Sequence, residues 1–238
     1  MDKIKKKELV VLEQCELENG SYTSICFDAM KNLSENWYLV AADDNDDDKP
    51  VLERNYVLSL VFQMGKNTNY EEQKVKYADL NSGFGTNVFP SGENIKDLDY
   101  KHEETKDTYQ KLYKREYPSS QVVIPDLVIH TSHDPRAAKS DGQHVAVEVK
   151  TTKKLDRTPF FKDFFKLNRY ICDLRFKNAI YLIVNTPKKR IEDLIKQYFK
   201  KKLFFKKNKL GKLLFFIQEG QNSSPIVWKL TTDYINSI

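Results

Sequence analysis

The reading of this chain turns on residues 122–152, VVIPDLVIHTSHDPRAAKSDGQHVAVEVKTT. Within it, HVAVEVK alternates as a half-buried strand requires, because successive side chains of a strand point to opposite faces. Val145, Val147 and Val149 share one face; Ala146, Glu148 and Lys150 share the other. The valines predict a core-facing side. A glutamate and a lysine on the other side of an apolar strand ask for a reason, since charge is seldom buried without pairing or function. Residues 122–130 read as a preceding strand, and residues 131–143, polar and broken by Pro135 and Gly142, as the loop that turns it back. Paired as a hairpin, the two strands bring Asp126 beside Glu148.

Two neighbouring carboxylates repel and raise each other's pKa. A divalent cation removes that penalty, and Mg2+ is typically held by one or two carboxylates together with phosphate and water. Lys150 adds positive charge at the same point, suited to orienting a water or to stabilising charge on a pentacovalent phosphate. The set fits phosphodiester hydrolysis. The competing structural reading is a Glu148–Lys150 salt bridge without chemistry.

Around this stretch the chain predicts a mixed α/β domain. Residues 50–64 form an expected helix, with Pro50 in its first turn and Val57, Leu60, Val61 and Met64 at helical spacing; a shorter helix is expected within 21–33. Residues 65–120 are polar and glycine-broken, with an expected strand near 74–78 and a helix over 102–115. After the motif come a helix over 159–176, a strand over 179–185, an amphipathic helix over 191–202 and late strands at 213–218 and 226–231.

At this point a resemblance can be stated. Pro125–Asp126 followed by Glu148–Val149–Lys150 resembles the PD-(D/E)xK signature of the restriction-endonuclease-like nuclease superfamily, over roughly residues 50–200. The resemblance implies a mixed central sheet flanked by helices, with a core ordered αβββαβ. Residues 1–49 would be an N-terminal helical extension, residues 50–238 the nuclease-like domain, and about 81–115 an insertion. It implies Asp126 and Glu148 as ligands of Mg2+ (or Mn2+) and Lys150 as the catalytic lysine. Glu53, on the first expected core helix, would complete the site, with Glu103, Glu104 and Glu116 as competitors for that role. It implies double-stranded or branched DNA as substrate and allows a homodimer. A nucleic-acid-binding protein with a degenerate nuclease fold is the alternative.

Lys166 and Arg169, on the helix after the motif, are candidates for phosphate contact, against an exposed helical face as the plainer reading. Residues 188–212 hold eleven Lys or Arg against Glu192 and Asp193, and Lys188, Lys189 and Arg190 are further phosphate candidates. The interleaved aromatics Tyr198, Phe199, Phe204 and Phe205 read as core. His130, His133 and His144 surround the hairpin loop without zinc-ligand spacing. Three cysteines in no paired spacing predict free thiols. The acidic run at 43–48 lacks the glycine and terminal glutamate of a calcium loop. With 40% hydrophobic and 31% charged residues and a net charge of +5, the chain can bury a core. No apolar run reaches the roughly 20 residues of a membrane span. The expected location is cytoplasmic. No phosphate-loop or nucleophile-elbow motif is present, which argues against ATP-driven translocation by this chain.

Overall fold

The computed structural model describes residues 7–33, 53–66, 103–116, 125–130, 142–220 and 223–235. In chain order the elements are β1 (Lys7–Gln14), α1 (Tyr22–Lys31), α2 (Glu53–Lys66), α3 (Glu103–Tyr113), β2 (Leu127–His130) and β3 (Gln143–Lys150). These are followed by α4 (Arg157–Cys172), β4 (Asn178–Val184), α5 (Lys188–Lys200), a 3-10 helix (Lys207–Lys212), β5 (Leu213–Gln218) and β6 (Ile226–Ile235). The strand near 74–78 and the acidic run at 43–48 lie outside the described residues.

The six strands form one mixed sheet in the order β1-β6-β5-β4-β3-β2. β2 and β3 are an antiparallel hairpin, with Leu127 opposite Val147 and Val128 opposite Ala146, which carries Asp126 to the place opposite Glu148. β3, β4 and β5 run parallel. Parallel neighbours need a crossover, and α4 and α5 supply the two. β6 turns antiparallel on β5, and β1 pairs antiparallel with β6 along its whole length.

Strand alternation divides the core in two. Val145, Val147 and Val149 pack with Ile180 and Leu182 against Met30 of α1 and Tyr56, Val57, Leu60 and Met64 of α2. On the opposite face Ala146 and Tyr181 pack against Phe160, Phe164 and Leu167 of α4, with Ile191, Leu194 and Tyr198 of α5 outside them. The result is helices on both faces of a mixed sheet, the α/β class expected. Local chemistry sets the helix starts. Ser21 caps α1 by accepting from the Ser24 N–H at 3.2 Å. Pro159 occupies the first turn of α4, where its missing N–H costs no intrahelical bond.

Two findings differ from expectation. The N-terminal segment is not only helical: β1 is an edge strand of the central sheet. Its short apolar run, Leu9 to Leu12, gave no periodic signal long enough to separate strand from loop. In addition, two strands, β2 and β3, lie between α2 and α4 among the described residues, where the expected αβββαβ order has three. Tyr198, Phe199 and Phe205 pack in or against the core, as expected, whereas Phe204 is only half-buried. The cysteines Cys15, Cys26 and Cys172 are free thiols.

Candidate active site

Asp126 stands between the buried Pro125 and the first residue of β2. Its N–H donates to Val147 O at 3.0 Å, and its Oδ2 accepts the Val149 N–H at 2.7 Å. The Asp126 carboxylate is thereby fastened to the backbone between Glu148 and Lys150. The hairpin register and this bond bring the three residues together.

Glu148 is 1% exposed. Both of its oxygens are engaged from α4: Tyr170 OH donates to Oε1 at 2.6 Å, and Lys166 Nζ to Oε2 at 2.6 Å. Lys166 Nζ also lies 2.8 Å from Asp163 Oδ1. Asp163 Oδ2 in turn meets Lys150 Nζ and Tyr181 OH, each at 3.3 Å. Lys150 Nζ donates to Val149 O at 3.0 Å. Thus Glu148 and Lys150 do not simply pair with each other. They are joined through Lys166 and Asp163 into a chain of alternating charge between strand and helix.

The helix supplies these partners by spacing. Asp163, Lys166 and Tyr170 stand at i, i+3 and i+7, one stripe of a helix otherwise filled with phenylalanine. That polar stripe was readable in the sequence and marks α4 as a second contributor to the site. Only Lys166 of the three was singled out there, and Asp163 and Tyr170 were missed as partners. Lys166 and Arg169 do not lie on an exposed helical face. Lys166 is three-quarters covered, and Arg169 is buried, its guanidinium bonded to Thr105 of α3 and ion-paired to Asp173. Arg169 is therefore turned into the fold.

Burial pushes the Glu148 carboxyl up to about 8; Lys166 opposes this rise, and Asp163 and Asp126 add to it. Burial also raises Asp126, against the pull of the Val149 N–H and of Lys150 and Lys166. For Lys166, burial works downward, but Glu148 and Asp163 outweigh it and hold the ammonium above the ordinary lysine value. The ammonium keeps its proton, and the carboxylates are left short of full compensation. Three acids facing two lysines, with hard oxygen donors, are chemically suited to one further cation such as Mg2+. Among the described residues no three Asp, Glu, His or Cys side chains enclose an ion by themselves. Asp126 and Glu148 would hold it with water and phosphate completing the shell, which is the usual way Mg2+ is bound.

The other sequence candidates fall elsewhere. Glu53 begins α2, whose buried residues pack on the valine face, opposite Glu148; its side chain lies outside the described residues. Glu103 is exposed and paired with Lys106, and Glu116 is exposed. Glu104 lines a cavity of about 720 Å³ formed with Asp107, Lys196, Phe199 and Phe205, which contains no residue of the Asp126–Lys150 cluster. Lys188, Lys189 and Arg190 open α5 after the carboxyl end of β4. Lys188 Nζ sits 3.2 Å from the Trp228 ring centre, Arg190 Nε donates to Leu155 O, and Lys189 is exposed. The His144 ring contacts Tyr22 at 4.2 Å between centres; His133 lies outside the described residues.

Comparison with known proteins gives no match: no family model, no curated protein and no solved structure is similar to the chain.

Proposed function

We propose that this protein is a metal-dependent nuclease that hydrolyses phosphodiester bonds, in DNA. The observation that carries the reading is the fastening of Asp126 to the Val149 N–H, which sets one carboxylate beside the strand that bears Glu148 and Lys150. The resemblance of Pro125–Asp126 and Glu148–Val149–Lys150 to the PD-(D/E)xK signature supports it.

In this reading Asp126 and Glu148 hold Mg2+ or Mn2+. When bound, the ion would polarise the scissile phosphate and acidify a water. Lys150 carries fixed positive charge next to the carboxylates, where it orients the attacking water or offsets charge on the phosphate oxygens. Tyr170 OH orients the Glu148 carboxylate. Lys189, at the exposed start of α5, offers charge for the phosphate backbone.

The test incubates purified protein with plasmid, single-stranded and branched DNA, with Mg2+ or with EDTA. Cleavage is expected with Mg2+ only. Lys150→Ala and Asp126→Ala should each reduce it by at least about a hundredfold while remaining folded at the assay temperature. Cleavage in EDTA, or full activity of either variant, would overturn the reading.

A second reading is favoured by one observation: both Glu148 oxygens are already bonded within the protein. A non-catalytic DNA-binding protein on a degenerate nuclease fold would show salt-dependent affinity in the same panel and no product under any metal.

A further inference from the structure

Glu148, the firmest of the proposed metal ligands, receives a cation from its own fold. Lys166 Nζ lies 2.6 Å from Glu148 Oε2 and 2.8 Å from Asp163 Oδ1, so two carboxylates converge on one ammonium. The side chain carrying it is 23% exposed, and it hangs on a flexible four-carbon stem from α4. Glu148 is fixed on the other side by Tyr170 OH at 2.6 Å and cannot turn away without breaking that bond. An ion bound through Glu148 Oε2 and the Lys166 ammonium therefore claim the same oxygen.

We infer that Lys166 is a resident counter-cation that competes with the divalent ion for Glu148, and that metal loading requires its ammonium to leave the Glu148–Asp163 pair. The inference rests on the metal-dependent reading of the site. Its consequence is a site whose metal affinity is set by a lysine outside the signature.

The probe is Mn2+ itself, followed by the loss of its free-ion electron paramagnetic resonance signal in the absence of nucleic acid. Lys166→Gln removes the charge and keeps a hydrogen-bonding side chain. It is expected to bind Mn2+ at least about tenfold more tightly than wild type, because a like charge has left the ion's immediate surroundings. Lys162→Gln, on the same helix but against the Tyr113 ring, is expected to change affinity by less than about twofold. Glu148→Gln added to Lys166→Gln should abolish the gain. A wild-type measurement guards against misfolding of the variant. The Lys166 ammonium resonance, sharp in metal-free protein because the group is held, should broaden away on adding Mg2+. If wild type binds Mn2+ and Lys166→Gln binds it equally or less tightly, or if the ammonium resonance survives saturating Mg2+, the competition is overturned and the nuclease reading stands. If neither wild type nor Lys166→Gln binds Mn2+, the metal reading itself fails, and this inference with it.

Discussion

Glu148 owes its properties to where its neutralising partners come from. A carboxyl on β3 is met by Lys166 and Tyr170 of α4, and burial still pushes it up to about 8. The sign of the consequence follows from linkage. A carboxyl that holds its proton more tightly folded than unfolded adds stability in acid. That contribution is lost as pH rises from the ordinary glutamate range through about 8. Metal-free wild type should therefore lose several degrees of melting temperature between pH 5 and pH 8.5, and Glu148→Gln, which has no carboxyl to titrate, should lose less; melts across that range in EDTA check this. A divalent ion needs the ionised form, so apparent Mg2+ affinity should rise with pH through the same interval. At this scale the sequence was informative in part. The parity of HVAVEVK placed Glu148 and Lys150 together. It could not say that each would bond to α4 rather than to the other, because that depends on which helix stripe faces the strand.

α4 is the element on which the rest depends. Its phenylalanines fill the core on the Glu148 face: Phe164 is fully buried and rings of Phe160, Tyr198, Phe205 and Phe215 surround it. Phe164→Ala should cost about 3–5 kcal/mol in denaturant unfolding. Arg169 ties the helix to α3 through Thr105 and to its own last turn through Asp173. Arg169→Ala removes a buried, ion-paired guanidinium and should cost about 3 kcal/mol, with no change in the salt slope of DNA binding, since the guanidinium is buried. Helical periodicity made the burial of Phe164 readable in the sequence but hid that of Arg169. Helical periodicity marks one buried face, whereas α4 is covered on more than one side, by the sheet and by α3, α5 and the 3-10 helix. Elements with a single clean period were readable: residues 213–218 match β5, and the 191–202 helix matches α5 but for its first turn. β1 was missed because its apolar run is short and its partner strand is remote in sequence, a pairing that no local pattern announces.

For the whole molecule, the sheet separates a hydrophobic layer under α1 and α2 from a layer that also holds the charged cluster. Among the described residues no helix is long and apolar enough to cross a membrane. Net charge is modest, so any DNA affinity has to come from local lysines, of which Lys189 is among the exposed ones at the carboxyl ends of the parallel strands. Lys189→Ala should lower the slope of log affinity against log salt by about 0.9 if it meets one phosphate, and leave the melting temperature unchanged. The pairing of Lys7 with Ile235 has a bearing on biosynthesis as well. β1 leaves the ribosome long before β6, its partner among the described residues. Until residue 226 emerges β1 lacks that partner, while β3, β4 and β5 can already associate in order. Closure of the sheet by β6 and β1 then follows assembly of the parallel strands, and a nascent chain halted before residue 226 would carry an uncovered edge on β5 and a β1 without β6, both open to pairing with other chains.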